Sequence, residues 1–238
     1  MGVKIKWLGQ SGLLFDSGKL RVCIDAYLTD HVFETFGQPG LKRMRPAPLS
    51  PENLNADFYC ISHDHADHYD PKSVAAAAAA NARFIGSESA AGHFAKDGHD
   101  CSKFVPLRPG DEFSSGGMRM RAVPAKHSDA SAVGFVLELG DLLLYASADT
   151  LYFPELAGEV ARAAGGKIDA AFVCINGKLG NMNWREAAQL VEALQPRLAV
   201  PMHYGLFADN TEDPTPFLEA VRKKGINCRE PSESGFEI

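Results

Sequence analysis

His63-Asp64-His65-Ala66-Asp67-His68 places three imidazoles and the Asp67 carboxylate within six residues. Neutral imidazole and carboxylate are ligands for Zn²⁺, Mn²⁺ and Fe. Crowding such groups on one tight loop costs free energy unless a cation neutralises them. The preceding segment, Ala56-Asp57-Phe58-Tyr59-Cys60-Ile61-Ser62, is apolar and β-prone and reads as a strand. The following Asp70-Pro71 reads as a helix start, with an N-cap aspartate and proline at the first helical position. The cluster is therefore expected on a loop at the carboxyl end of a strand, where open α/β sheets place ligands.

Outward from that loop the chain alternates. Val3–Leu8, Gly12–Phe15 and Leu20–Asp25 read as short strands. A loop rich in proline and glycine follows over roughly residues 37–51. A helix is expected from Pro71 through the alanine run 75–80, a run suited to close helix packing. Phe84–Gly86 reads as a strand and Ser87–Ala95 as a helix. Strands are expected near Lys103–Val105, Met118–Pro124, Ala132–Leu139 and Leu142–Ala146, the last two joined by the Gly140-Asp141 turn. A helix near Pro154–Ala164 and a strand at Ala170–Ile175 come next. A second helix starts at Asn183, with Glu186 in the capping-box position, and Pro196 ends it. A strand Leu198–Pro201 and a helix Pro216–Lys224 complete the pattern. These elements predict two mixed sheets packed together with helices outside, as one domain over 1–238, without linker or repeat.

Bulk composition excludes several classes. The 238 residues are 45% hydrophobic and 23% charged, which is ordinary for a globular chain. The net charge of −6 argues against a broad nucleic-acid footprint. No stretch approaches the roughly 20 apolar residues of a membrane span. The Met1–Lys6 stretch reads directly as a strand pattern, so a secretory signal is not expected. The five cysteines are widely spaced without a Cys-x-x-Cys pair, so a disulfide framework is not expected and the expected compartment is the cytoplasm. Cys23, Cys60 and Cys174 lie in apolar runs and read as core residues.

Two metal ions need more donors than the hexapeptide holds. Three further strand ends supply them: Pro124-Ala125-Lys126-His127-Ser128, Leu144-Tyr145-Ala146-Ser147-Ala148-Asp149-Thr150 and Leu198-Ala199-Val200-Pro201-Met202-His203-Tyr204. Alone, each of His127, Asp149 and His203 suits a structural role better, the histidines as hydrogen-bonded residues and the aspartate as a turn or cap. Their order and placement behind the hexapeptide make the metal-binding reading the better one.

On these residues the chain resembles the metallo-β-lactamase superfamily of metal-dependent hydrolases. Asp25 matches the aspartate that closes an early strand and supports the ligand loop. A closer likeness, carried also by Leu107-Arg108-Pro109-Gly110-Asp111, is to the L-ascorbate-6-phosphate lactonase branch. The resemblance implies an α/β (α+β) fold, a four-layer αββα sandwich. It implies two divalent cations, Zn²⁺ or Mn²⁺ with Fe compatible: His63, His65 and His127 on one, Asp67, His68 and His203 on the other, Asp149 bridging. Asp67 is then both ligand and proton acceptor, and Asp67, Asp149 and His203 form the catalytic set. The expected activity is hydrolysis of a small, anionic metabolite, a lactone or ester. Phosphodiester hydrolysis at the same centre and a non-catalytic metal-binding scaffold are the alternatives. The branch likeness points to a homo-oligomer.

Other polar residues fit solvated positions better than sites. They are Lys126 and Ser128, the loop residues Asn176, Lys178, Asn181 and Asn183, Tyr204, and the Lys42/Arg43/Arg45 group, which otherwise suits a phosphate or carboxylate. Asp64 lies between two ligands and could orient an imidazole. His31, His93 and His99 show no partner pattern.

Overall fold

A computed structural model describes residues 2–238, which divide into two compact units. One unit takes the chain up to Leu107 together with Gly205–Thr211 and Ser232–Ile238. The other takes Arg108–Tyr204 and Glu212–Pro231.

The first unit is built on a seven-stranded sheet. Its strands are β1 (Lys4–Gly9), β2 (Gly12–Asp16), β3 (Arg21–Ile24), β4 (Phe58–Ile61), β5 (Arg83–Gly86), β6 (Phe104–Pro106) and β13 (Phe236–Glu237), in the order β13-β1-β2-β3-β4-β5-β6. β1, β2 and β3 pair antiparallel, whereas β3 to β6 run parallel. Every residue of β4 is buried, as a central parallel strand covered on both faces requires. The helices are α1 (His31–Phe36), α2 (Pro71–Ala79) and α3 (Glu88–Lys96). A core of Leu14, Cys23, Tyr59, Ile61, Val74, Phe84 and Phe94 holds sheet and helices together.

The second unit has a six-stranded sheet in the order β12-β11-β10-β9-β8-β7. Its strands are β7 (Glu112–Ser115), β8 (Met118–Pro124), β9 (Val133–Leu139), β10 (Leu142–Ala146), β11 (Ala170–Cys174) and β12 (Leu198–Met202). β7 to β10 form an antiparallel meander, and β10, β11 and β12 are parallel. The helices α4 (Leu156–Ala164), α5 (Trp184–Leu194) and α6 (Thr215–Lys223) bury Leu156, Val160, Leu190, Val191, Phe217 and Val221 in its core.

Strand directions decide where side chains can gather. β8 and β10 both oppose β9, so β8, β10, β11 and β12 all end at one edge of their sheet. β1, β3 and β4 likewise end at one edge of theirs. All the candidate ligands follow these strand ends.

α5 starts on the expected capping box: Asn183 Oδ1 accepts from Arg185 and Glu186 N–H, and Glu186 returns a bond to Asn183 N–H. Asn183→Ala is expected to cost about 1 kcal/mol. For a chain of this size that is a fall of about 2–4 °C in Tm, measured by thermal melt. α2 starts at Asp70-Pro71 as expected, but the Asp70 side chain does not cap the helix. It instead accepts from Leu28 N–H, Thr29 N–H, Thr29 Oγ1 and Ser73 Oγ, tying the loop after β3 to the helix. The alanine run differs from expectation, since among Ala75–Ala80 only Ala77 is buried. Its propensity for helix, rather than close packing, accounts for it. Helix α1 and strands β7 and β13 lie where no element was expected. No helix among the described residues is long and apolar enough to cross a membrane.

Candidate metal centre

In the first unit, His63, His65, Asp67 and His68 sit on the loop between β4 and α2, with His63 and His68 fully buried. The His63 ring lies 4.5 Å from His65 and 4.0 Å from His68, centroid to centroid. Asp25, at the end of β3, organises them. Its Oδ1 accepts Ser62 N–H at 2.8 Å, and its Oδ2 accepts the Ser62 hydroxyl at 2.6 Å. His68 Nδ1 lies 2.9 Å from the same Oδ2.

These contacts fix the proton on each ring. A carboxylate only accepts, so His68 must carry its proton on Nδ1. The Ser62 hydroxyl has one hydrogen, and Asp25 takes it. Ser62 Oγ, 2.9 Å from His63 Nδ1, must therefore accept from a protonated His63 Nδ1. In their neutral form both rings then have the lone pair on Nε2, which is the form that binds a metal. Asp25 thus sets two imidazoles at once, one directly and one through Ser62. The service considered for Asp64 is performed for these two rings by Asp25 and Ser62. Asp67 is held from elsewhere: Gln10, in the turn after β1, donates Nε2–H to Asp67 Oδ2 at 3.0 Å.

The second unit repeats this logic. His127 follows β8, and its Nδ1 lies 3.1 Å from the carbonyl oxygen of Gly180. A carbonyl only accepts, so this ring too presents Nε2 as its lone-pair nitrogen. Gly180 has φ +89, and a Cβ there would sit 3.0 Å from His127 Nδ1. Asp149 follows β10 and His203 follows β12. His203 Nε2 lies 3.2 Å, and His127 Nε2 3.9 Å, from Asp149 Oδ2. Two imidazoles, from the ends of β8 and β12, converge on one carboxylate oxygen at the end of β10. Ser147 and Thr150 brace the Asp149 turn. Ser147 Oγ accepts Cys174 N–H, Thr150 Oγ1 accepts Lys126 N–H, and the Thr150 carbonyl accepts Met182 N–H. Burial, with the Asp149 carboxylate adding to it, pushes the Cys174 thiol up to about 12, so this cysteine stays a neutral core residue. Cys23 and Cys60 are likewise fully buried.

The backbone is strained at these same positions. Gln10 (φ 49), Asp25 (φ 46), Ala148 (φ 50) and His203 (φ 63) are non-glycine residues in the left-handed region. Such a conformation costs of order 1–2 kcal/mol per residue and gathers where side chains are held for chemistry.

All seven residues are groups able to hold a metal ion. The donor set fits divalent first-row metals: imidazole Nε2 and carboxylate oxygen, with outer hydrogen bonds orienting the rings.

The remaining sequence candidates separate. Arg43 and Arg45 are not a solvated run. Arg43 donates to the carbonyls of Tyr27 and Arg45 and lies over the Tyr27 ring. Arg45 donates to the Gly205 carbonyl and Glu233 and lies over Trp7. Lys42 stands over Phe33. Tyr204 donates its hydroxyl to Glu230. His93 stacks on Tyr69, and His99 packs on Phe94. Asn183 is the cap of α5. Sequence reasoning missed Gln10, Ser62, Ser147, Thr150 and Gly180. Only the glycines flanking the Gln10-Ser11 pair signalled a turn that could present a side chain.

Comparison with known proteins identifies the family and the fold. The model of the beta-lactamase superfamily domain matches residues 21–204. A UPF0173 metal-dependent hydrolase of Thermus thermophilus is 30% identical over 234 residues, covering 94% of this chain and 93% of the relative. Among solved structures, Igni18, a metallo hydrolase from Ignicoccus hospitalis, superposes with a TM-score of 0.77 at 21% identity, covering 100% of this chain and 98% of that one. An isothiocyanate hydrolase from Delia radicum gut bacteria gives 0.77 at 19% identity, covering 99% and 98%. At those identities the two structures speak for the fold alone.

Proposed function

This chain belongs to the UPF0173 metal-dependent hydrolases of the metallo-β-lactamase superfamily, and from that premise we propose that it hydrolyses a small lactone or ester at a centre of two divalent cations. In this reading His63, His65 and His127 hold one ion, Asp67, His68 and His203 hold the other, and Asp149 is shared. The observation that carries it is the control of ring tautomers: the outer contacts of His63, His68 and His127 all engage Nδ1 and leave Nε2 as the donor. Bound divalent cations bring the pKa of a water towards neutrality and polarise a substrate carbonyl.

The chain's own residues supply the rest. Asp67 takes the proton of the attacking water, and the Gln10 amide holds that carboxylate in one orientation. His203 serves as a ligand rather than as the acid for the leaving group, since its Nε2 is directed at Asp149 Oδ2. Arg43 and Arg45 are committed to carbonyl oxygens and rings.

The test is turnover by metal-stripped protein reloaded separately with Mn²⁺ and Zn²⁺. The panel comprises plain and phosphorylated lactones, simple esters, a thioester, an aryl isothiocyanate and bis-p-nitrophenyl phosphate. Metal-dependent cleavage of lactones or esters is expected, at least tenfold above the metal-free protein. Cleavage of the phosphodiester or isothiocyanate alone would replace the proposal. Cleavage that survives chelation would remove the metals from the mechanism.

A further inference from the structure

Asn181 lies on the loop between β11 and α5, and its side chain is 4% exposed. Neither its Oδ1 nor its Nδ2 has a hydrogen-bond partner among the described residues. A buried polar group left in that state costs about 1–3 kcal/mol. An amide has two such ends, so one partner that both donates and accepts would satisfy the residue. The position is also fixed on both sides. Gly180 holds His127 through its carbonyl, and Met182 N–H is bonded to the carbonyl of Thr150, the residue after Asp149. The amide is thus flanked by one residue that holds the His127 ring and one bonded to the backbone next to Asp149. Leu179, two residues earlier on the same loop, is 72% exposed at φ 52.

We propose that the Asn181 amide is a substrate-binding group of this centre, selecting lactones or esters with a hydroxyl beside the reacting carbonyl. The chemistry follows from the amide's two ends. Nδ2 donates, and its partner must accept, as a carbonyl oxygen does. Oδ1 accepts, and its partner must donate, as a hydroxyl does. A hydroxyl next to a carbonyl presents both within one small fragment. Such a site rejects the analogue lacking the hydroxyl, because Oδ1 would again be buried without a partner. The selectivity rests on the hydrolase reading above, but the contact can be tested without turnover.

The experiment uses two non-hydrolysed probes, α-hydroxy-γ-butyrolactam and γ-butyrolactam. Binding to the Mn²⁺-loaded protein is measured by calorimetry, with wild type and Asn181→Leu compared. Leucine keeps the volume and removes both polar atoms. Wild type is expected to bind the hydroxylated probe at least tenfold tighter, and Asn181→Leu to bind the two within twofold of each other. Turnover of the corresponding lactones is expected to show the same preference, lost in the variant. Equal binding of both probes by wild type, or binding of neither, overturns the proposal even if the variant fails to fold. Unchanged preference in Asn181→Leu, with an equal or higher Tm, overturns it in favour of an internal amide satisfied by water. If the probes are discriminated but no lactone is cleaved, the hydrolase reading fails and the binding role of Asn181 stands.

Discussion

Replacing Asp25 by Asn is expected to strip metal from the protein while leaving its shape intact. Three donors converge on this fully buried carboxylate: Ser62 N–H, the Ser62 hydroxyl and His68 Nδ1. Asparagine keeps the volume but turns one oxygen into a donor. With the amide nitrogen in the Oδ2 position, it donates towards Ser62 Oγ and His68 Nδ1. His68 then accepts at Nδ1 and carries its proton on Nε2. The freed Ser62 hydroxyl donates to His63 Nδ1 and moves that ring's proton to Nε2 as well. Two ligands are lost by proton position alone. With the amide turned round, its nitrogen opposes Ser62 N–H, and a buried donor has no acceptor. Changing one outer partner commonly lowers metal affinity 10–100-fold, and this change alters two rings, so a fall of about 100-fold or more is expected. Metal content after dialysis against a graded chelator measures it. Native retention in Asp25→Asn would show that Asp25 does not set the tautomers. Asp25→Ala removes the acceptor altogether and leaves the donors buried. At about 1–3 kcal/mol per orphaned group, metal-free protein should lose about 3 kcal/mol or more, or at least about 6 °C in Tm.

What the sequence makes legible is what is local. The hexapeptide sits in one short loop, and a fully apolar run before it marks the central strand β4. β8 and β10 match their expected bounds because each is bounded by strong turn signals, and the Asn183/Glu186 box lies within one helical turn. Asp149 and His203 can be found because each follows a run of strand. The partners that set their chemistry are far away in the chain. Gln10 reaches Asp67 across 57 residues, and Gly180 reaches His127 across 53. No periodicity announces a side-chain contact of that span. Arg45 is misjudged for the same reason, because its carbonyl partner at Gly205 is 160 residues on. β7, with the exposure pattern of an edge strand and only Phe113 as a large apolar residue, gives too little alternation to be seen. Asn181 fails differently. Its type and position resemble those of any polar loop residue, and only the finished fold shows that its amide is buried.

Asp149→Ala is expected to abolish hydrolysis while sparing the fold. Asp149 Oδ2 is the point towards which both His127 Nε2 and His203 Nε2 are directed. Those rings come from β8 and β12, on either side of β10, and each is positioned independently of the carboxylate. His127 is held by Gly180, and His203 directly follows β12, whose pairing with β11 does not involve Asp149. Alanine therefore removes a ligand without removing a support, and its smaller volume relieves rather than creates crowding. Under the proposed assignment the lost carboxylate is the one both cations share. Bound metal should fall from two equivalents to one or fewer, and turnover about 10³-fold or more, equivalent to roughly 4 kcal/mol in the barrier. Asp149→Asn separates charge from shape. It can still offer an oxygen to one cation, so it should keep more metal than Asp149→Ala yet remain far below wild type in rate. A non-catalytic scaffold makes the opposite demand: metal would be lost in both variants with no hydrolysis to lose, and the wild-type protein would cleave nothing when reloaded. Equal turnover by wild type and Asp149→Ala would remove Asp149 from the centre and leave its two histidines to a structural role.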